Sequence, residues 1–435
     1  MKKLALFLAL FGLFFSLVGC SPNTSSAPTQ GGTSMQLDQS SLARVTDPQV
    51  SSKDLQSLVS GNTAFAVSLL QYLNSQPGNV VFSPFSISQA LAMTYAGARG
   101  ETEQQMAAAL HFNLSQSSLH QAFNALDQEL NTQPSSGQSG NDQAFKLSVV
   151  NAIWGQQGYT FLPKFLDILS QNYGAGMRLV DFQNATEQAR QAINNWVSEQ
   201  TQQKIQDLLP QGSVLASTRL VLTNAVYFKA DWTVPFDPNN TKDKPFTLAD
   251  GTQVKVPTMK ETSFLGYAES DGVQLVELPY AGSDLSMFIF LPSSGSLNDF
   301  ISSLTPEKIA ALMSSVSTSQ DVTLSLPKFK FDSSFNLNDA LSKLGMPDAF
   351  TPGKADFSGM DGSKDLMIQG VLHKAFIAVD EKGTEAAAAT GVIVGLTSIP
   401  ANNVTMTVDH PFLFTIVDQN SGTILFAGQV SDPRS

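Results

Sequence analysis

Four histidines (His111, His120, His373 and His410) and one cysteine (Cys20) are the chain's most obvious candidates for chemistry. The histidines are scattered and share no metal-ligand spacing, so no metal site is expected. Cys20 stands alone near a leader-like N-terminus, which leaves the folded body without a disulfide or a thiol nucleophile. Ser325-Leu326-Pro327-Lys328 has the S-x-x-K spacing of a serine acyl-transfer motif. That motif needs a helix start, whereas these residues continue a strand-like alternation, and no S-D-N or K-T-G partner accompanies them. H-E-x-x-H, G-x-S-x-G and P-loop patterns are absent, and Gly174-Ala175-Gly176 lacks the third glycine of a dinucleotide loop. His373, within VLHKAFIAVD, reads as a hydrogen-bonded structural histidine. The expectation is a protein that is not an enzyme and uses no cofactor.

The stretch DEKGTEAAAATGVIVGLTSIPANN, Asp380 to Asn403, carries no charge after Glu385, and the next charged residue is Asp409. Ala386 to Ala389 favour a helix, but the Thr, Gly and β-branched residues that follow do not. The run is too short, and too interrupted by Gly and Pro, to span a membrane. As a strand it sorts into two faces. Thr384, Ala386, Ala388, Thr390, Val392, Val394 and Leu396 share an uncharged face, small at first and then apolar. Glu385, Ala387, Ala389, Gly391, Ile393 and Gly395 share the other. The first face could slide between two existing strands with little steric cost.

Helical periodicity dominates the first half of the chain. Phe65, Leu69, Tyr72 and Leu73 form one stripe, and Leu119, Phe123, Leu126 and Leu130 another. Pro163 to Tyr173 and Glu187 to Leu209 are further helix candidates. Strands dominate later. Leu220 to Phe228 is apolar on both faces, as in a strand covered on both sides. VQLVELPY and LSMFIFLP are two more. In VTLSLPKFKF the apolar parity switches at Pro327, which predicts a bulge or a sheet edge. Phe412–Val417 and Thr423–Val430 flank DQNSG as a hairpin.

With 42% hydrophobic and 14% charged residues, the 435-residue chain can bury a substantial core. A net charge of -12 and a pI near 4.7 argue against nucleic acid and acidic membrane surfaces as partners. Lys2 and Lys3 precede an apolar run from Leu4 to Val18, so residues 1–19 read as a secretory signal peptide. Leu17-Val18-Gly19-Cys20 resembles a bacterial lipobox, which makes Cys20 the expected lipidation site and the membrane anchor. Residues 20–52 then read as a Ser/Thr/Pro/Gly-rich tether with a reach of roughly 30 Å, and 53–435 as one domain. The expected location is extracytoplasmic, on a bacterial membrane or cell surface. Ser21 in place of aspartate points to the outer membrane in a Gram-negative cell.

EKGTEAAAAT, Glu381 to Thr390, resembles the hinge of a serpin reactive-centre loop. NVVFSPFSISQALAMTYAGARGET (Asn79 to Thr102), INNWVSEQTQQKIQDLLP (Ile193 to Pro210) and LTNAVYFKADWTVPF (Leu222 to Phe236) resemble other blocks of that family. VPTMK, LPKFKF, HKAFIAVDEKGTE and DHPFLFTI follow in family order, so the likeness spans nearly all of Lys53 to Pro433. The resemblance implies an α+β fold with three β-sheets, eight or nine helices and an exposed reactive-centre loop at about 381–403. It implies a monomeric suicide-substrate inhibitor, in which a serine protease cleaves the loop, forms an acyl-enzyme, and is trapped as the loop enters the main sheet.

The resemblance also distributes roles. Glu381, Gly383, Thr384, Glu385, Ala386, Ala387, Ala388, Ala389 and Thr390 match the hinge, with Lys328 as the ion-pair partner of Glu381. Ser83, Ser86, Asn224 and His373 match a polar cluster under the strands that part, and Trp232 the point where the loop enters. Counting along the loop gives Thr397-Ser398 as the scissile bond, with Leu396-Thr397 as the alternative. The absence of a nearby Arg or Lys directs the expectation to elastase-like or subtilisin-like proteases. Gly391 and Gly395 weaken the strand to be inserted. Two alternatives stand beside this reading: inhibition of papain-like cysteine proteases, and a non-inhibitory binding protein on the same fold. No basic cluster suggests a glycosaminoglycan cofactor.

Overall fold

A computed structural model describes residues 35–76, 78–131, 145–293, 296–384 and 403–434. The chain opens with β1 (Gln36–Asp38), α1 (Ser52–Asn74), β2 (Val80–Phe82), α2 (Pro84–Tyr95), α3 (Gly100–Ala109) and α4 (Gln116–Asn131). β3 (Phe145–Gln156), α5 (Pro163–Tyr173), β4 (Met177–Val180), α6 (Thr186–Gln200) and β5 (Leu220–Asp231) follow. Next come β6 (Lys242–Thr247), β7 (Gln253–Ser270), β8 (Val273–Pro279), β9 (Leu285–Pro292), α7 (Leu297–Ser302) and α8 (Pro306–Ser314). β10 (Ser317–Pro327), β11 (Phe329–Asn336), α9 (Asn338–Lys343), α10 (Ser358–Asp361), β12 (Gly370–Val379) and β13 (Gly383–Thr384) lead into the last three strands. These are β14 (Asn403–Thr407), β15 (Phe412–Asp418) and β16 (Thr423–Val430).

The strands form two hydrogen-bonded networks. The first is seven-stranded, in the order β1-β4-β3-β5-β13-β12-β11. The second has nine strands, β14-β10-β7-β8-β9-β15-β16-β2, with β6 also on β7. The fold is α+β, with ten α-helices among the described residues where eight or nine were expected. Two networks stand where three sheets were expected, because β7 is long enough to join the strands on either side of it into the one nine-stranded network. Its early residues pair with β6 and β10, and Gly266 to Ser270 pair with β8.

α2 sits between the networks and contacts β3, β5 and β16. Its start is written in Ser83-Pro84-Phe85-Ser86. Ser83 is the N-cap, its side chain accepting from the Ser86 amide, and Pro84 occupies the first turn, where no donor is missed. All of its residues are buried, which suits a helix covered on every side.

Three expectations change. The parity switch at Pro327 is not a bulge: the chain changes sheets there, from β10 inside the nine-stranded network to β11 at the edge of the seven-stranded one. α6 stops at Gln200 rather than Leu209. Thr201 caps it, Gln202 and Gln203 turn left-handed, and Asn194 bonds both the N–H and the C=O of Leu209, folding the segment back onto the helix. The tether does not run to Ser52 either. β1 pairs with β4, and Arg44 and Val45 bond to α4 and α5, so the segment from Gln36 to Val45 is docked.

Candidate functional site

β5 and β12 pair in parallel from Gly370–Val221 to Phe376–Tyr227. Above that ladder the chain leaves β12, turns through Asp380, Glu381 and Lys382, and returns as β13 between the same two strands. Gly383 faces Asp231, while Thr384 faces Ala230 on one side and Val379 on the other. β13 is therefore a two-residue wedge at the end of a closed pair.

The turn is held from several sides. The amides of Trp232 and Phe236 donate to the carbonyls of Lys382 and Glu381 at 2.7 and 2.8 Å. The Trp232 indole N–H donates to Asp380 O at 3.0 Å. Trp232 stacks on Tyr280 with centroids 4.6 Å apart, and the Tyr280 hydroxyl meets Thr384 Oγ1 at 2.7 Å. Burial drives the Tyr280 phenol far up, so it stays neutral. Lys328 Nζ lies 2.8 Å from Glu381 Oε2, and Thr241 donates to Glu381 Oε1 at 2.8 Å. Burial alone would raise the Glu381 carboxyl. The hydrogen bonds from Lys328, its own amide and Thr241, with the Lys328 charge, outweigh that and leave it lowered.

Beneath the wedge a polar cluster ties β5, β12, β3 and α2 together. Asn224 and His373 are register partners across β5 and β12, and both are fully buried. His373 Nδ1 bonds Asn224 Oδ1, while its Nε2 accepts the Ser83 N–H at 3.2 Å. The two partners assign the neutral Nδ1–H tautomer, and burial pushes the ring pKa down to about 3. The Asn224 amide donates to Ser86 Oγ and to Asn151 Oδ1. Ser86 Oγ donates to the same Asn151 oxygen at 3.1 Å.

A family model described as Serpin (serine protease inhibitor) matches residues 60–433. The chain belongs to the serpin family. Human leukocyte elastase inhibitor is 41% identical to this serpin over 390 residues, covering 87% of this chain and all of that one. A solved thermophilic serpin, tengpin in its native state, superposes with a TM-score of 0.79 at 31% identity, covering 90% of this chain and 97% of its own. Human thyroxine-binding globulin, solved with thyroxine, gives a TM-score of 0.77 at 28% identity, with 87% and 99% covered.

The structure brings Lys328, Glu381, Gly383, Thr384 and Trp232 together at the wedge, and Ser83, Ser86, Asn224 and His373 beneath it. Glu385, Ala386 to Ala389, Thr390, both candidate scissile bonds and Cys20 lie outside the described residues. Sequence reasoning missed Tyr280, Thr241 and Asn151. VQLVELPY ends on that tyrosine, so its place after a strand was visible, but not its partner Thr384.

Proposed function

We propose that this serpin inhibits serine proteases as a suicide substrate. The protease's serine attacks the carbonyl of Thr397, Ser398 leaves with the new amine, and the freed loop joins the sheet between β5 and β12 before the acyl-enzyme can be hydrolysed. The observation that carries this reading is the register of β13. Continued one for one from Thr384, the loop meets Asn224 of β5 and His373 of β12 at the same residue, Thr390. Asn224 and His373 already face each other. Insertion thus needs no sliding of β5 along β12, only a sideways parting of about 4.8 Å, one strand spacing.

The same register suits each side chain. Ala386 falls between Phe228 and Ile377, and Ala388 between Val226 and Ala375; all four flanking residues are buried, so small residues are what the gap accepts. Glu385, on the outer face, falls beside Lys229. Residues 385 to 393 find partners on both strands, which replaces one parallel ladder with two antiparallel ones. Antiparallel pairing is the more stable per residue, and each added hydrogen bond contributes about 0.5–1.5 kcal/mol net. The test is Thr384→Arg with an elastase-like protease. The wild type is expected to form a complex that survives boiling in detergent, and the variant to be cleaved without one. A wild type cleaved cleanly by a broad protease panel would refute the reading.

A second reading rests on a cleft of about 750 Å³ between α1, α8 and the β15–β16 turn, lined by Leu55, Val59, Phe288 and Met313. Its size suits a small molecule, which would make the chain a binding protein. Loop cleavage then leaves the melting point unchanged, whereas insertion raises it sharply. We also propose lipid anchoring through Cys20, on the strength of residues 1–20; the mass of the mature N-terminal peptide tests it.

A further inference from the structure

We infer that Arg44, which precedes the family domain, sets how readily β5 and β12 part, acting through a chain of side-chain hydrogen bonds. The inference rests on the insertion reading above. The family model begins at residue 60, so nothing in the hinge motif assigns a role to this segment.

The chain is continuous. Arg44 Nη2 lies 2.6 Å from Asp127 Oδ2 on α4, and Arg44 Nε donates to the buried Asn124 at 2.7 Å. The other Asp127 oxygen accepts from Gln89 Nε2 of α2 at 3.1 Å. With its NH₂ committed there, Gln89 turns its carbonyl to β3, where Asn151 Nδ2 donates to it at 2.8 Å. Asn151 Oδ1 in turn accepts from Asn224, the partner of His373. Fixing Asp127 therefore fixes the direction of every amide down to the pair that must separate.

A second observation points the same way. β3 and β5 pair from Phe145–Ala230 to Gly155–Leu220, and β4 and β1 continue the sheet, so these four strands move as one block when β5 leaves β12. The segment around Arg44 fastens that block to the helices beside it. One end is β1, in the block itself. The other is held by Asp127 and Asn124 of α4 and by Gln171 of α5, whose carbonyl accepts the Val45 N–H at 2.9 Å. Gly176 permits the close docking, because a β-carbon there would lie 2.7 Å from the Asp38 carbonyl oxygen. Sheet opening has to stretch either this staple or the Gln89–Asn151 bond.

The test uses the full-length, uncleaved protein and a synthetic peptide with the sequence of residues 385–396, whose uptake between β5 and β12 is followed by native gel. Arg44→Met is expected to speed uptake several-fold, and Gln89→Leu at least as much. The double variant is expected to be no faster than Gln89→Leu alone, because both changes break one chain. The melting point of the cleaved, loop-inserted form stays unchanged in all three. An Arg44→Met rate within about twofold of wild type, or rate increases that multiply in the double variant, would overturn the inference. A matching loss of stability in the cleaved form would reduce Arg44 to a general structural role and overturn it too. If the wild type takes up no peptide, the insertion reading itself fails, and this inference with it.

Discussion

Gly383 packs so tightly on β5 that a β-carbon at that position would stand 2.1 Å from the carbonyl oxygen of Ala230. Real side chains do not approach backbone that closely, so only glycine lets the wedge begin. Gly383→Ala is expected to push β13 out from between β5 and β12 and to break the Thr384–Tyr280 contact. Insertion then starts late and deacylation wins more often. Densitometry of complex against cleaved inhibitor checks this: the cleaved fraction should rise several-fold, while Gly391→Ala, further along the loop, should not raise it.

Lys328, between β10 and β11, reaches Glu381 in the turn that launches the wedge. The lysine side chain is 37% exposed and the carboxylate side chain 12%. The pair alone is therefore worth under about 1 kcal/mol after solvent screening. Lys328→Met nevertheless leaves Glu381 half-buried without its cation. Its carboxyl pKa, now lowered, is expected to rise, since burial pushes it up and the Lys328 hydrogen bond is the largest of the influences that hold it down. A carbon-detected NMR titration of the Glu381 carboxyl reads this directly; an unmoved titration would assign the lowering to Thr241 and the backbone instead.

Much of this site was legible because its residues lie in compact motifs. Glu381-Lys382-Gly383-Thr384 and Ser83-Pro84-Phe85-Ser86 each carry a local geometric demand, a turn into a sheet and a helix cap. The apolar faces of β5, β9 and β16 were legible from alternation alone. Asn151, Gln89 and Asp127 were not, because each is a lone polar residue on a different element and only tertiary packing brings them together. The same holds for Pro327. A parity switch looks alike whether a strand bulges or crosses to another sheet, and only the partners of β10 and β11 decide. The docked segment from Gln36 to Val45 was hidden by its composition, since three residues of strand and one arginine leave no periodic trace.

In the proposed insertion, Thr390 is the loop residue that the register of β13, continued, would carry between Asn224 and His373. Opening the sheet removes the bond between those two buried side chains, and an unsatisfied buried polar group costs about 1–3 kcal/mol. A threonine hydroxyl can donate to one and accept from the other. Thr390→Val keeps the shape and removes that capacity. The cleaved form of this variant is expected to melt several degrees below cleaved wild type, with the uncleaved forms matching. Equal melting of the cleaved forms would mean that the loop enters in a different register.

His373 and His120 make the uncleaved fold acid-sensitive well above the carboxylate range. Both are buried, and burial lowers their pKa values to about 3 and about 4. In the unfolded chain each titrates near ~6.5. Below that value the unfolded state takes up protons that the native state refuses. The histidine contribution to stability is therefore complete above pH 6.5 and falls as the pH drops, by up to about 1.4 kcal/mol per pH unit for each ring. Asp231 and Glu129, whose carboxyls burial pushes up, act in the opposite sense and flatten the total. The histidine effect is best read as a difference. His120→Gln removes one titration, so its urea midpoint should fall less than that of wild type between pH 7 and pH 5, by the equivalent of about 2 kcal/mol. Carboxylates with lowered pKa values, Glu381 among them, lose their contribution only below about 4.5 and leave this window to the histidines. Parallel pH profiles for the two proteins would show that His120 takes up its proton without opening the fold.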